Sequence, residues 1–162
     1  PPDYQRHPRG DRIVFADRRG VCHVTNLEGQ SFRLQLGMGN SAAVRFAFAD
    51  VTADPRKDYL TLSGRDLTVD FYDGNDLRRR NLYRFEQPPE DLFTVEAAGE
   101  EKALIGITRS ASGQVWLLDG TGALREGFPL GGTTAFRLAD LYGNGEMTLV
   151  VGMGEEVVAY GM

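Results

Sequence analysis

A weak repeat of about 46 residues constrains what this chain can fold into. The segment Phe46-Ala47-Phe48-Ala49-Asp50-Val51 returns ninety positions later as Phe136-Arg137-Leu138-Ala139-Asp140-Leu141. Without any gap, the same offset pairs Leu60 with Val150, Gly64 with Gly154 and Leu67 with Val157. A second register links three turns, placing Asn26, Asp73 and Asp119 at steps of 47 and 46. Ninety is close to two such steps. A period of this size means one small unit that cannot bury its own apolar face and needs the next copy to cover it.

Within the unit the pattern is that of strands. Runs of five to seven residues rich in Val, Leu, Ile, Phe and Tyr are closed by Gly, Asp or Asn, as at Val44–Ala49, Tyr59–Leu62, Leu67–Tyr72 and Asn81–Phe85. The third unit reads Leu92–Val95, Ala103–Thr108, Gln114–Leu118 and a poorer run at Leu124–Phe128. Between the runs, Glu28-Gly29, Asp73-Gly74-Asn75 and Asp119-Gly120-Thr121-Gly122 supply residues that tolerate the positive φ of tight hairpins. The chain is therefore expected to be all-β. Four strands per period is the content of a propeller blade, whereas a sandwich has no such internal period. The expected architecture is β-propeller-like, with about 3.5 to 4 four-stranded blades over residues 11–162, in units near 11–37, 43–86, 91–130 and 133–162. Residues 1–10, proline-rich and polar, read as a linker or frayed lead-in, so that the first unit lacks its opening strand and the last stops after its third. The opening on Pro1-Pro2 rather than Met suggests a longer parent chain, and an incomplete ring needs further blades or a second copy of itself.

The stretch from Val115 to Leu130, with Asp119-Gly120-Thr121-Gly122 and Gly127-Phe128-Pro129, continues into Phe136-Arg137-Leu138-Ala139-Asp140-Leu141-Tyr142-Gly143-Asn144-Gly145. It resembles the FG-GAP/VCBS type of β-propeller repeat, best over residues 115–161 and fairly over 44–76. The resemblance implies an extracellular or periplasmic propeller that binds proteins or glycans or supports other modules. It also implies a Ca²⁺-binding loop after the first strand of a blade. In the earlier loop Asp50, Thr52, Asp54 and Asp58 fall at positions 1, 3, 5 and 9, all oxygen-bearing, with Pro55 where the family has Gly. These four are the candidate calcium ligands. In the later loop Asp140 keeps the first position, while Tyr142 and Thr148 replace acids. Lost charge weakens calcium affinity, and Asp or Asn at such positions also shapes a turn by bonding its own backbone, which is the favoured reading.

Other constellations point to structure before chemistry. Cys22 and His23 are strand neighbours with opposite faces, so they do not form a thiolate–imidazole pair. One Cys and two His do not supply a zinc site of nitrogen and sulfur ligands. Gly37-Met38-Gly39-Asn40-Ser41-Ala42 matches a dinucleotide fingerprint, but a strand follows where the helix N-terminus should be. The run Arg78-Arg79-Arg80 reads either as a grip for an acidic partner or as charges that block edge-to-edge pairing. Trp116, Tyr72 and Tyr160 fall in the third strand of three units, and packing between blades is favoured over stacking on a sugar.

The net charge of -5 argues against a nucleic-acid partner, and no apolar run approaches the ~20 residues of a membrane-spanning helix. The expected function is a non-enzymatic propeller segment that binds a protein or glycan or acts as a scaffold, in a larger propeller or as a self-completing homo-oligomer. Two alternatives stand beside it. One is the C-terminal part of a propeller-type lyase or hydrolase, with carboxylates such as Asp50 or Asp140 near the channel; the other is a Ca²⁺-stabilised structural repeat.

Overall fold

A computed structural model describes residues 3–5, 10–17, 21–34, 44–52, 56–74, 76–96 and 101–162. It contains fifteen β-strands, one short 3-10 turn at Ser110–Ser112 and no α-helix among the described residues. The strands are β1 (Asp3–Gln5), β2 (Arg12–Ala16), β3 (Cys22–Asn26), β4 (Ser31–Leu34), β5 (Val44–Ala49), β6 (Asp58–Ser63), β7 (Asp66–Asp73) and β8 (Asp76–Arg84). They continue as β9 (Asp91–Val95), β10 (Leu104–Arg109), β11 (Gln114–Leu118), β12 (Leu130–Gly131), β13 (Arg137–Ala139), β14 (Thr148–Met153) and β15 (Glu156–Gly161). Each strand pairs antiparallel with its sequence neighbour, giving four separate sheets: β1–β4, β5–β8, β9–β12 and β13–β15. The all-β expectation holds, in several small antiparallel sheets.

Apolar residues on both faces of the strands explain how the sheets associate. Successive strand residues point to opposite sides. In β6 and β7 one side carries Leu60, Leu62, Leu67 and Val69, which pack with Phe85 against Leu92, Ile105, Ile107 and Leu118 of the third sheet. The other side of the second sheet carries Phe48 and Tyr59, which close over Val14, Cys22 and Val24 of the first. Val95, Leu104, Val115 and Leu117 of the third sheet meet Phe136, Leu149 and Val151 of the fourth, with Phe128 between them. Three apolar cores thus lie between four sheets in sequence order. The first strands of the second and third sheets, β5 and β9, run beside one another, and Arg45 Nε donates to the Glu90 carbonyl at 3.0 Å. Trp116 makes edge contacts with Tyr83 and Phe85 at 5.6 and 5.5 Å, so its ring lies between sheets as expected.

Three expectations change. Asp3–Gln5, read as part of a lead-in, pairs with β2 and supplies the opening strand of the first sheet. Three residues flanked by prolines carry no visible period. The fourth strand of the third sheet is not Leu124–Phe128 but Leu130–Gly131. Leu124 makes a single bridge to Leu118. Gly127 then turns at φ +84°, and Phe128 leaves the edge to enter the core. Last, β8 begins at Asp76, five positions before the expected start, so the arginine run is itself an outer strand. The dinucleotide-like stretch 37–42 lies outside the described residues.

The turn at Asp119 shows how tightly neighbouring sheets are joined. A Cβ at Gly120 would land on the Val51 carbonyl oxygen in the β5–β6 loop, and one at Gly122 on the Leu82 carbonyl in β8. Gly122 also has φ +88°, which disfavours any L side chain. Gly120→Ala is expected to cost about 1–3 kcal/mol, because the backbone it meets cannot swing aside as a side chain would. Gly161→Ala is the control, with open space around it. Thermal melts of the two variants check this: a loss confined to Gly120→Ala is expected, and equal melting points would contradict the close approach.

Candidate functional site

In a meander, the loops joining first to second strands and the turns joining third to fourth emerge at the same end of a sheet. At that end the second and third sheets form an open cleft of about 740 Å³. Val51 and Thr52 border it from the β5–β6 loop, and Phe71, Tyr72 and Asp73 from the end of β7. Glu101 and Lys102 enter from the β9–β10 connection, and Asp119, Gly120 and Thr121 from the β11–β12 turn. Arg80 and Arg125 complete the charged lining. Three acids, Asp73, Glu101 and Asp119, and three bases, Arg80, Lys102 and Arg125, share the lining with Thr52, Thr121 and Tyr72.

The β5–β6 loop that borders the cleft is fixed by carboxylates that bond the chain itself. Asp58, buried at the start of β6, accepts from the Val51 and Thr52 amides at 2.8 Å each and from the Thr52 hydroxyl at 3.1 Å. Asp50 Oδ2 takes the Lys102 ammonium at 2.8 Å, and the Asp50 carbonyl accepts from the Ala103 amide at 2.9 Å. The other oxygen, Asp50 Oδ1, is buried without a hydrogen-bond partner. Of the candidate calcium set, Asp50, Thr52 and Asp58 therefore share one loop, and Asp54 lies outside the described residues. The contact that a cation would seek on Asp50 Oδ2 is made by Lys102, and Asp58 Oδ2 faces two N–H donors. Among the described residues, no group of three or more His, Cys, Asp or Glu is gathered closely enough to hold a metal.

The second register of the repeat is a recurring side-chain turn. Asn26 Oδ1 accepts from the Glu28 and Gln30 amides at 3.2 and 2.8 Å. Asp119 Oδ1 accepts from the Thr121 and Ala123 amides at 2.8 and 3.0 Å and from the Thr121 hydroxyl at 2.6 Å. In both, a side-chain oxygen gathers the amides two and four residues on. Asp140 does similar work for its loop, accepting from the Asn144 and Gly145 amides at 3.1 and 2.8 Å. Those amides, Gly145 first, hold the Asp140 carboxyl below the ordinary carboxylate range. For Asp119, desolvation pushes upward, but the Thr121 hydroxyl and the amides outweigh it, so the group titrates below 3.8.

A folded pKa lower than the unfolded one gives stability that is complete above the unfolded value and lost as pH falls through the folded one. Melting temperature is therefore expected to fall on acidification from about pH 5 to about pH 3. Asp119→Asn should melt lower at neutral pH and lose less across that window. An unchanged slope would show that the Asp119 charge is not what the turn uses.

The remaining sequence candidates have structural roles. Cys22 is buried between the first two sheets; burial, with the Asp70 charge as a smaller cause, pushes its thiol up to about 12. His23 points the other way, stacking on Phe15 at 5.0 Å and meeting Asp17 at 3.0 Å. The arginine run binds its own sheet. Arg79 clamps Asp70, Arg78 lies 3.6 Å from Asp76, and Arg80 sits 5.0 Å over the Phe71 ring. Sequence reasoning missed the cleft itself, because Lys102 and Arg125 are unremarkable until the fold brings their loops beside Asp73 and Asp119. The spacing of Asp73 and Asp119 was the available signal.

No helix of the described residues is long and apolar enough to cross a membrane. No model of a known family matches the chain, and no curated protein matches it. Its fold is similar to that of a protein of unknown function from Bacteroides caccae, whose crystal structure was solved at 1.35 Å. The TM-score is 0.54 at 14% identity, over 91% of this chain and 52% of that one, so the chain spans about half the length of this neighbour.

Proposed function

We propose that the chain is an arc of a β-propeller of the FG-GAP/VCBS kind, working outside the cytoplasm as a binding or scaffolding module and not as a catalyst. The observation that carries this reading is the serial packing: each apolar core lies between two consecutive sheets, while β5 and β9 run side by side. Sheets stacked face to face with their first strands together is the arrangement of blades around an axis. Fold alone does not give function, so the binding half rests on the cleft. Its balanced charges, hydroxyls and the Phe71 and Tyr72 rings suit a glycan or a polar protein loop. The absence of a catalytic reading rests on Cys22, His23 and Asp58, whose reactive atoms are buried or engaged in holding the fold.

The test is a binding screen against glycan and protein arrays with the wild type and Arg80→Glu, which reverses one charge at the cleft. Loss of a ligand in the variant, with unchanged circular dichroism, supports the cleft as its site. Equal binding places that ligand elsewhere, and no ligand of either class leaves scaffolding.

One observation favours a second reading. A buried, unpartnered oxygen such as Asp50 Oδ1 beside a cleft is a feature of strained, functional sites. A propeller-type lyase or hydrolase that used the end of the first strand would then need Asp50 and Asp140. Full activity in the longer protein after Asp50→Asn with Asp140→Asn would remove that reading.

A further inference from the structure

Most of the charges that line the cleft between the second and third sheets are spent on the fold. Asp119 Oδ1 accepts from the Thr121 and Ala123 amides at 2.8 and 3.0 Å, and the Asp73 carboxylate lies 3.9 Å from Arg78. The Lys102 ammonium is held by Asp50 at 2.8 Å, and Arg125 is near enough to Asp119 to favour its charged form. Arg80 differs. Among the described residues its guanidinium makes no hydrogen bond and no ion pair. It stands opposite Val69 across β7 and β8, on the side where Phe71 joins the core against the third sheet, and lies 5.0 Å over the Phe71 ring. A guanidinium over an aromatic face is held in place without using its N–H groups. Its donors are thus presented to the cleft in the fork that matches a carboxylate.

The rest of the lining accepts. The Thr121 hydroxyl gives its proton to Asp119 Oδ1 at 2.6 Å, and the Thr52 hydroxyl gives its own to Asp58 Oδ1 at 3.1 Å. A hydroxyl that has donated offers lone pairs to a visitor. Glu101, also without an ion pair or hydrogen bond among the described residues, is a further acceptor. Main-chain donors at the rim are already spent. The Val51 and Thr52 amides serve Asp58, the Thr121 amide serves Asp119, and the Ala103 amide serves the Asp50 carbonyl. An extended peptide, read through its main-chain donors and acceptors, finds no ladder there. A cation also lies over each aromatic ring of the lining, Arg80 over Phe71 and Arg56 over Tyr72 at 5.2 Å, so a ligand on that side meets charge in place of a bare ring.

The complement of one open donor fork among several acceptors is a molecule with many hydroxyls and a carboxylate. Resting on the reading of the cleft as a binding site, we infer that its ligand is a glycan of hexuronic acid. The sugar carboxylate docks on Arg80, and hydroxyls of the same chain donate to Thr121 and Glu101. The volume of about 740 Å³ is that of a cleft for a ligand of a few rings. A bidentate carboxylate on a guanidinium is among the stronger single contacts a protein surface makes, which gives the acid group a measurable share of the affinity.

The experiment is isothermal titration calorimetry on the 162-residue chain with tetramers of galacturonic and glucuronic acid, the methyl esters of both, and tetraglutamate. The wild type is expected to bind an acid tetramer, and to bind its methyl ester about tenfold more weakly, since the ester keeps the hydroxyls and loses the charge. In Arg80→Gln the acid is expected to fall to the level of the ester. Arg84→Gln, whose arginine pairs with Asp66 and is not part of the lining, is expected to bind as the wild type does. Acid and ester bound equally, or Arg80→Gln without effect, overturns the docking of a carboxylate on Arg80 and leaves the cleft a site for other glycans. Tetraglutamate bound in place of the sugars overturns the glycan in favour of an acidic peptide. No binding of any of these probes overturns the inference, while a ligand from the arrays that Arg80→Glu abolishes still upholds the cleft as a binding site. Circular dichroism identical across the variants separates loss of a contact from loss of the fold.

Discussion

Arg79→Ala is expected to lower the unfolding free energy by about 3–5 kcal/mol, a large share of what a domain of this size possesses. The Asp70 side chain is only 5% exposed, and Arg79 holds both of its oxygens, through Nε at 2.9 Å and Nη2 at 2.8 Å. The two residues are directly opposed across β7 and β8. Removing the guanidinium leaves a carboxylate between two sheets with no counter-charge. That loss greatly exceeds the ordinary worth of a surface ion pair, because the penalty comes from the buried charge left behind. Asp70→Val combined with Arg79→Met is expected to recover most of the stability. Guanidinium denaturation of the wild type and these two variants checks this, and a cost below about 1 kcal/mol for Arg79→Ala would show that water reaches Asp70 and screens it.

Phe136→Ala is expected to cost about 3–5 kcal/mol. Phe136 is 1% exposed, meets Phe93 edge-on at 5.1 Å and lies 6.1 Å from Phe128, so its loss empties the centre of the core between the third and fourth sheets. Its counterpart in the repeat, Phe46, is only half-buried at the margin of the core between the first and second sheets. Phe46→Ala should therefore cost less. Equal losses in the two variants would mean that the two junctions do not differ in the way their burial implies.

Much of the fold was legible in the sequence because two signals agreed. Alternation over Leu67–Tyr72 and Gln114–Leu118 gave strands close to β7 and β11, since apolar residues on both sides of a strand are visible as near-continuous runs. The steps between Asn26, Asp73 and Asp119 marked the same corner of successive sheets, because a side-chain oxygen that organises a turn must recur with that turn. Edges were harder to read. β8 is built from Asp76 and an arginine run, and an outer strand facing water need not be apolar. β12 is two residues long, and the Gly127 turn that displaces it is set by where Phe128 finds a core. Of the site, Asp50, Thr52 and Asp58 were named as one loop, and the fold keeps them together. Their partners were not legible, because Lys102 reaches Asp50 across 52 positions of chain and the Asp58 oxygens face backbone amides.

The central claim is that each sheet packs on its sequence neighbours, one after another. Long-range nuclear Overhauser contacts between side chains test it most directly. They should connect Phe48 with Val24, Trp116 with Phe85, and Phe93 with Phe136, the three junctions in order. Within one molecule, contacts from the first sheet to the third, or from the second to the fourth, would contradict a serial stack and with it the propeller arc.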